Sequence, residues 1–429
     1  MDTGLRLSKL PFIDCSQAIE ILQNIKKNVA FIDVRNRKTY VQQFAFGSVH
    51  CSLDRLKFII TDLVPDQETS LIIIGATLST IPKIISILNK KKFGNYYFIK
   101  NNYKAWAKAK LPMWAGEFTL SKAFGEWVEK TGSIRNIYPK ELYQLHQKKP
   151  DTFLQIDARP KQEYEKFTLP FSKQCSGGEL PAYLESNYTD KDIIIHCAGR
   201  TRSIVAYQTL LDFNVKNKKF VLNGGTQNWV LNGLERAYKY KSDLAQNKIN
   251  LIQDMKLAKK IITKFKLPHI KQLSSIVGVH AFSIKSEIIQ NKPMKLWKNV
   301  NATTLIQNTD KFIASTSTKI YIYSEIPSSA VFAVLWLRRM GYQAIWHIDR
   351  PHKKLKKSFC KKEFIDQTYF FSKRHLGKKS DAKKYLNWEH SLIPTLQKWG
   401  CRSPWISMKN KNTQEIINPV HKVYQSIKL

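Results

Sequence analysis

The sequence lacks the cysteine and histidine spacing that metal sites and disulfide scaffolds require. Its six cysteines are scattered, none belongs to a Cys-x-x-Cys pair, and no paired histidines accompany them. Structural zinc sites and small disulfide-rich folds both depend on such clustering. We therefore expect no metal, no other cofactor and no disulfide framework. The cysteines are Cys15, Cys51, Cys175, Cys197, Cys360 and Cys401.

Long uncharged apolar runs are also missing. The most apolar stretch, 71–88, is interrupted by Pro82 and Lys83, whereas a membrane-spanning helix needs about 20 consecutive apolar residues. The segment from Met1 to Arg6 lacks the basic start that precedes the apolar stretch of a secretory signal. We therefore expect a soluble, cytoplasmic protein without a membrane partner.

Acidic residues are scarce beside basic ones. The chain has 70 Lys and Arg against 33 Asp and Glu, a formal net charge of +37. Such a surplus is typical of proteins that contact nucleic acid, an anionic membrane surface or an acidic protein. However, lysine, isoleucine and asparagine are abundant along the whole chain, and no module that interleaves aromatic and basic residues is recognisable. Compositional drift is the favoured interpretation, and binding of tRNA or an acidic carrier protein stays an alternative.

One short stretch carries the clearest chemical signal. Residues 194–203 read Ile-Ile-His-Cys-Ala-Gly-Arg-Thr-Arg-Ser, a buried-strand pattern that ends at Cys197 and leads into an apolar helix. Backbone N–H groups at a helix N-terminus and nearby guanidinium groups both stabilise a thiolate. The stretch therefore predicts that Cys197 is a nucleophile.

Three separated motifs resemble one family. The loop at 196–203, the upstream Ile156-Asp157-Ala158-Arg159-Pro160 and the downstream segment 222–229, Leu-Asn-Gly-Gly-Thr-Gln-Asn-Trp, occur in the order found in rhodanese-type sulfurtransferases, particularly bacterial multidomain members. The resemblance covers about 119–240. It implies an α/β domain with a mostly parallel sheet, and a nucleophilic cysteine on a loop around an anion-sized pocket. It also implies a cysteine persulfide as the intermediate.

Loop length favours sulfur over phosphate as the transferred group. Related cell-cycle phosphatases have one more residue between the nucleophile and the arginine, whereas here four residues separate Cys197 from Arg202 and Ser203 takes the phosphatase position. A smaller loop suits a sulfur atom better than a phosphoryl group. A phosphatase-like or arsenate-reducing enzyme on the same fold remains an alternative.

The motif region is repeated within the chain. Asp33 aligns with Asp157, Gly75 with Cys197 and Trp106 with Trp229, at offsets of 122 to 124 residues. Short apolar runs alternate with helical patterns in each copy, which predicts parallel sheets flanked by helices and an α/β fold class. Because Gly75 replaces the cysteine, the first copy is expected to be inactive. Its Asp33 and Arg35 are expected to form a local ion pair or a cap.

A weaker third copy and a basic tail complete the expected organisation. Ser324 ends a predicted strand where a third cysteine would lie, and no Asp-x-Arg element is recognisable near 282–284. The tail has an amphipathic helical pattern up to Trp399 and many lysines, and we expect it to pack on the third copy. The predicted units are a degenerate rhodanese-like domain at 1–118, a catalytic one at 119–240, a degenerate one at 251–355 and a helical extension at 356–429.

Several residues near Cys197 receive predicted roles. Gly199 permits the tight curvature that lets the amides of the loop point inward. The predicted substrate-binding residues are Ala198, Gly199, Arg200, Thr201, Arg202, Arg159 and Glu179, while Asp157 and Ser203 are expected to support the site. Glu179 either orients Arg202 or caps a helix, and Cys175 is a candidate resolving thiol. His196 is expected to be a buried core histidine.

These observations lead to one favoured function with alternatives. We expect a sulfurtransferase that passes sulfur from a small anionic donor such as thiosulfate to a thiol or cyanide acceptor through a Cys197 persulfide. A sulfur-relay or scaffold protein that docks tRNA or an acidic sulfur-carrier protein is an alternative from a different class.

Overall fold

The computed structural model describes residues 10–238, 240–243, 248–273, 275–289, 294, 297–351, 367–413 and 416–427. The predicted boundary at 355/356, Cys360, Met1 to Arg6, Lys361 and Lys362 lie outside the described residues.

The first part of the chain forms a five-stranded parallel sheet. Its central strand is the apolar run that ends at Ile74, which is fully buried because helices cover both faces of the sheet. The helices are α1 Cys15–Gln23, α2 Arg37–Gln42, α3 Leu53–Leu63, α4 Ile81–Lys90 and α5 Asn102–Lys108. The strands are β1 Phe12–Ile13, β2 Val29–Asp33, β3 Phe44–Ala45, β4 Val49–His50, β5 Ser70–Ile74, β6 Tyr96–Ile99 and β7 Met113–Trp114. The sheet order is β1-β6-β5-β2-β4, and β3 pairs with β7 separately.

The second part repeats this arrangement. It begins with α6 Thr119–Thr131, and the later helices are α7 Pro139–Lys148, α8 Lys161–Tyr164, α9 Leu180–Ser186, α10 Thr201–Asp212 and α11 Gly225–Leu231. The strands are β8 Asn136–Ile137, β9 Phe153–Asp157, β10 Lys173–Gln174, β11 Asp192–His196 and β12 Lys219–Leu222. Read from β8, the order β8-β12-β11-β9-β10 is that of the first sheet.

A third sheet has the same strand order. Its strands are β13 His269–Ile270, β14 His280–Lys285, β15 Lys298–Asn301, β16 Lys319–Ser324 and β17 Gln343–His347, arranged β13-β17-β16-β14-β15. Its helices are α12 Leu251–Phe265, α13 Ala302–Gln307 and α14 Pro327–Arg339. The predicted α/β fold class is therefore confirmed. The exact boundaries between the three parts stay a prediction.

Helix α14 lies at the centre of the molecule, and every residue from Pro327 to Arg339 is buried. Trp336 Nε1 donates a hydrogen bond to Thr209 Oγ1 at 2.8 Å. Arg339 Nη1 lies 2.5 Å from Asp212 Oδ2 on α10. A single hydrophobic cluster joins residues from all three sheets. The second and third sheets are thus held together by a shared core.

The tail does not pack where the sequence suggested. Helix α15, Lys379–Lys398, buries a face with helical spacing that includes Tyr385, Glu389 and Leu392. That face lies against α6 and α11 of the second part, rather than on the third sheet. The last helix, α16 Pro419–Ser426, returns to the first part, where Tyr424 donates a hydrogen bond to the carbonyl of Phe46 at 2.5 Å. Across the residues with described positions, no helix combines the length and apolar character needed to cross a membrane.

Candidate active site

Cys197 lies at the carboxyl end of the central strand of the second sheet. Strand β11 ends at His196, and α10 begins at Thr201 after a short loop. The side chain of Cys197 is only 1% exposed, and its Sγ lies 3.4 Å from Ser203 Oγ. Ser203 Oγ in turn donates a hydrogen bond to the carbonyl of Arg200 at 2.9 Å. Ser203 therefore contacts both the sulfur and the backbone of the loop.

The start of α11 holds the loop from one side. The N–H of Thr226 donates to the carbonyl of Cys197 at 3.0 Å, and that of Gln227 to the carbonyl of Ala198 at 3.1 Å. Gly225 has a φ of +53°, and a Cβ at this position would collide with the carbonyl oxygen of Cys197. The glycine pair identified in the sequence is therefore needed for this close approach.

The amides of the loop are available as hydrogen-bond donors. Within the described ranges, the N–H groups of residues 198–202 have no backbone acceptor. They belong to the loop and the first turn of α10, where helix geometry leaves N–H groups without intrahelical partners. Such a group of donors is suited to an anion or a thiolate.

Cys197 borders a cavity of about 210 Å³. One wall is the loop itself, from Cys197 to Arg202, together with Gln227 and Glu163. The other walls come from the region of α6 and from two segments more distant in the sequence. They consist of Glu117, Phe118 and Lys122 around α6, Thr304, Gln307 and Asn308 near α13, and Thr368, Arg374, His375, Tyr385 and Glu389 of the tail. The second part, the third part and the tail therefore all border the cavity.

Arg202 borders the cavity and forms an ion pair with Glu163. Its Nη1 lies 2.5 Å from Glu163 Oε1, and its side chain is 11% exposed. Burial opposes the charged carboxylate, but the nearby guanidinium prevails and lowers the pKa of Glu163. The pKa of Arg202 is raised because the pairing with Glu163 outweighs burial. Both groups are therefore charged at neutral pH.

Arg374 brings a second guanidinium to the cavity. It is 8% exposed, stacks on the ring of Tyr385 at 4.1 Å, and donates to the carbonyls of Phe370 and Phe371. Among the described residues, no carboxylate lies within ion-pair distance of Arg374. A small anion in the cavity would supply the missing counter-charge.

Lys122, Tyr385 and Glu389 form a buried cluster on the wall opposite the loop. Tyr385 donates a hydrogen bond to Glu389 Oε1 at 2.8 Å, and Lys122 Nζ lies 3.8 Å from the same oxygen. Burial lowers the pKa of Lys122, and it raises the pKa of Glu389 despite the nearby ammonium. Both shifts arise because burial removes water from the two charged groups.

Arg159 is a predicted substrate-binding residue, but it does not border the cavity. Its side chain is 1% exposed, its Nε and Nη2 lie 2.9 and 2.7 Å from the two oxygens of Asp157, and Nη2 also donates to the carbonyl of Phe167. Burial opposes ionisation of Asp157, but Arg159 prevails and lowers its pKa. The structure gives Arg159 a supporting position with Asp157 instead of a substrate contact.

Glu179 is likewise placed away from the cavity. Its carboxylate accepts hydrogen bonds from the hydroxyls of Ser286 and Ser176 at 2.5 and 3.0 Å and from the N–H of Glu287 at 2.9 Å. The adjacent Gly178 packs on Ala302 of the third part. The segment that contains Glu179 therefore joins the second and third parts, and Glu163 rather than Glu179 pairs with Arg202.

The guanidinium of Arg200 is engaged by α6. Its Nε lies 2.7 Å from Glu126 Oε1, and its Nη2 pairs with Glu129. Arg200 borders the cavity, but these two carboxylates already satisfy its charge. It thus links the loop to α6, and its predicted role in substrate binding stays a prediction. Thr201, also predicted to bind substrate, borders the cavity and packs on Gly125 of α6.

The other thiol and the histidine near the site are buried in the core. Cys175 does not border the cavity, and burial raises the pKa of its thiol well above the usual value. This environment is unsuited to a resolving thiolate. His196 contacts Ser172 Oγ at 2.8 Å, and burial lowers its pKa to about 4. His196 is thus a neutral core residue, as expected.

The equivalent positions in the other parts have no thiol. Gly75 has a φ of +85°, and a Cβ there would lie 2.5 Å from Cγ of Arg35 and 2.9 Å from Oδ1 of Asp33. The expected pair of Asp33 and Arg35 is present, with Nη2 and Oδ2 2.6 Å apart. Ser324 Oγ accepts a hydrogen bond from the N–H of Ile326 at 3.1 Å, as a turn residue does.

Several charged side chains of the cavity were given no site role by sequence reasoning, among them Lys122, Glu163, Arg374 and Glu389. They lie in ordinary helical or polar segments, and no local motif distinguishes them from neighbouring charged residues. Only the packing of α6 and the tail against the loop brings them together. Across the described part of the chain, no three His, Cys, Asp or Glu side chains converge as metal ligands would.

Comparisons with known proteins agree with this architecture. A family model described as the rhodanese-like domain matches residues 138–232. The crystal structure of a thiosulfate sulfurtransferase from Pseudomonas aeruginosa superposes with a TM-score of 0.70 at 19% identity, covering 82% of this chain and 69% of that one. A rhodanese-related protein from Thermoplasma volcanium matches at 22% identity over 24% of this chain and 97% of its own, with a TM-score of 0.22. No curated protein matches the sequence.

Proposed function

We propose that this chain, in which residues 138–232 form a rhodanese-like domain, is a sulfurtransferase that uses Cys197 to carry sulfur. The donor is a small anion such as thiosulfate, and the acceptor is a thiol or cyanide. The observation that carries the proposal is the position of Cys197, which borders one cavity together with Arg202 and Arg374 and is followed by loop amides that have no backbone acceptor among the described residues.

The donor half-reaction requires an ionised thiol and a place for a departing anion. The Cys197 thiolate attacks the outer sulfur of thiosulfate, the S–S bond of the donor breaks, and sulfite leaves with the electron pair. A persulfide anion remains on Cys197. The amides of residues 198–202 are positioned to stabilise both the thiolate and the persulfide, because their dipoles are oriented before the reaction starts.

Arg202 and Arg374 are not equally suited to bind the donor anion. Arg202 is already paired with Glu163 at 2.5 Å, so its charge is partly compensated. Arg374 lacks a carboxylate partner among the described residues and stacks on Tyr385. A fixed guanidinium binds an oxyanion through paired hydrogen bonds, which a lysine cannot match. We therefore assign the main donor contact to Arg374 and a supporting one to Arg202.

Only the second of the three parts is proposed to transfer sulfur. Gly75 and Ser324 take the place of the cysteine in the first and third parts. The third part and the tail nevertheless contribute walls to the Cys197 cavity. Their proposed role is to enclose the site.

The test is sulfur transfer from thiosulfate to cyanide. The purified protein should produce thiocyanate, and incubation with thiosulfate alone should increase the mass of the peptide containing Cys197 by one sulfur atom. Cys197→Ser should lose both signals, whereas Cys15→Ser, a change in the first part, should keep them. Thiocyanate formation that persists at the same rate in Cys197→Ser would refute the assignment.

A further inference from the structure

A buried carboxylate of the tail faces the Cys197 loop. Glu389 is 1% exposed, and its Oε1 is occupied by the hydroxyl of Tyr385. Its other oxygen, Oε2, has no hydrogen-bond partner among the described residues. This oxygen lies 3.0 Å from the position that a Cβ on Gly199 would occupy. Gly199, two residues after Cys197, is thus the point where α15 approaches the loop.

An unpaired buried carboxylate oxygen is costly to maintain. Such an atom gives up its hydrogen bonds to water without gaining others, so its position calls for an explanation. Because Glu389 borders the same cavity as Cys197, a molecule in that cavity that carries a donor hydrogen would satisfy Oε2. The loop amides and Arg374 are suited to bind an anion. The carboxylate is suited instead to a molecule that donates a hydrogen.

The acceptor half-reaction has a requirement that the donor half-reaction lacks. A thiol acceptor is protonated at neutral pH and must lose this proton before its sulfur can attack a persulfide. Nothing in the loop performs this task, because the loop offers N–H donors and guanidinium groups, which accept no proton. Of the three described carboxylates that border the cavity, Glu117 is paired with Arg37 and Glu163 with Arg202. Oε2 of Glu389 is the carboxylate oxygen that is left to accept the proton.

We propose that Glu389 is the general base of the acceptor half-reaction, a role that rests on the sulfur transfer proposed above. Oε2 accepts the proton of the acceptor thiol while the acceptor sulfur attacks the outer sulfur of the Cys197 persulfide. The S–S bond of the persulfide breaks, and Cys197 leaves as a thiolate with the electron pair. The acceptor departs as a persulfide, and the proton on Glu389 passes to water.

The charged groups around Glu389 are consistent with this role. Helix α6 presents Lys122 and Glu126, the loop presents Arg200, and α15 itself presents Tyr385, on which Arg374 stacks. Burial raises the pKa of Glu389, Lys122 opposes this effect, and Glu126 reinforces it. The net direction is upward, which makes the carboxylate a stronger base towards a thiol than an exposed glutamate.

The two half-reactions can be separated in single-turnover experiments. Each protein is loaded with thiosulfate, freed of excess donor, and mixed with either 2-mercaptoethanol, which carries a proton to remove, or sulfite at mildly alkaline pH, which carries none. Glu389→Gln should load normally and should not be slowed with sulfite. Its transfer to 2-mercaptoethanol should be about 100-fold slower, the lower end of what a positioned base contributes. Asp381→Asn, on the same helix away from the cavity, should match the wild type throughout.

The pH dependence provides a second, independent readout. In Glu389→Gln the rate with 2-mercaptoethanol should follow the thiolate fraction of the acceptor, about tenfold per pH unit, whereas the wild type should be flatter near neutrality. Tyr385→Phe keeps the base but removes a hydrogen bond that stabilises its charged form. This variant should move the midpoint of the pH–rate profile upward. It also provides a test of the proposal if Glu389→Gln does not fold.

The outcomes distinguish the two proposals. Equal slowing of Glu389→Gln with thiol and sulfite, or an unchanged pH profile in Tyr385→Phe, would overturn the role of Glu389 while leaving sulfur transfer intact. Failure of the wild-type protein to load sulfur on Cys197 would overturn sulfur transfer itself.

Discussion

Gly225 packs directly against the carbonyl oxygen of Cys197. The contact is so close that a Cβ at Gly225 would also lie 2.6 Å from the carbonyl oxygen of Gly199. Both atoms belong to the loop that holds the thiol. The first residue of α11 therefore fixes the loop from behind, and its conformation depends on the absence of a side chain at this position.

Replacing Gly225 with alanine should distort the loop and impair sulfur transfer. A left-handed φ costs an alanine about 1–2 kcal/mol, and the collision with the loop adds about 1–3 kcal/mol of strain. We expect a loss of activity of at least about tenfold, because the loop that holds Cys197 would shift from its position. The checks are thiocyanate production and urea denaturation.

Gly233→Ala is the matched control for this change. Gly233 also has a left-handed φ, +79°, but nothing lies within 4 Å of its Cβ position. It should lose only the backbone contribution to stability and keep its activity. Equal effects of the two substitutions would show that the loop contact is unimportant.

Arg374→Met should weaken binding of an anionic donor. The substitution preserves an apolar contact with Tyr385 but removes a charge that has no carboxylate partner among the described residues. A hydrogen bond to a charged group is worth about 1.5–3 kcal/mol, so KM for thiosulfate should rise about 10- to 100-fold with a smaller change in kcat. Steady-state kinetics measure both constants.

Lys383→Met controls for the general loss of positive charge, because Lys383 is exposed on α15 and does not border the cavity. It should leave KM for thiosulfate unchanged. A KM in Arg374→Met equal to that of Lys383→Met would exclude Arg374 from the donor site.

The sequence predicts the parts of this site that depend on local pattern. The strand that ends at His196, the glycine-containing loop and the following helix all occur where the apolar periodicity places them. The repeated motifs indicate a duplicated sheet, and the structure contains three sheets with one strand order. Local pattern suffices here because strand and helix formation depends mainly on neighbouring residues.

The opposite side of the cavity depends on long-range packing and is not predictable in the same way. The amphipathic pattern of α15 identifies Tyr385 and Glu389 as inward-facing positions, but not the surface that they meet. The tail was expected on the third sheet, yet α15 packs on α6 and α11. An apolar helix face must be covered, but its pattern does not say by which partner. The position of Glu389 beside the Cys197 loop is therefore known only from the three-dimensional structure.

The junction between the second and third parts should make stability depend on pH. Burial and the nearby Glu179 raise the pKa of Glu287 to about 7, compared with about 4.5 for an ordinary glutamate. Lys161 and Gln174 face the same carboxylate and oppose this shift. Between about pH 4.5 and 7, Glu287 is thus protonated in the folded state and ionised in the unfolded state.

Because of this difference in protonation, Glu287 makes the folded state less stable as pH rises. The contribution of Glu287 to the free energy of unfolding is fully present below about pH 4.5 and is lost as pH rises through about 7. Glu287→Gln should remove this slope and should be relatively more stable at pH 8 than the wild type. Urea denaturation between pH 4.5 and 8 measures the effect, and parallel curves for the two proteins would contradict it.

Introducing a cysteine at Gly75 should not create a second sulfur-carrying site. The space for a side chain is taken by Arg35 and Asp33, and the φ of +85° disfavours any residue but glycine. Intact Gly75→Cys should therefore acquire one sulfur atom from thiosulfate rather than two, and it should unfold at lower urea concentration. The double variant Gly75→Cys with Cys197→Ser should acquire none. A sulfur adduct on that double variant would show that the first part keeps a usable loop, and that the cysteine alone distinguishes it from the second.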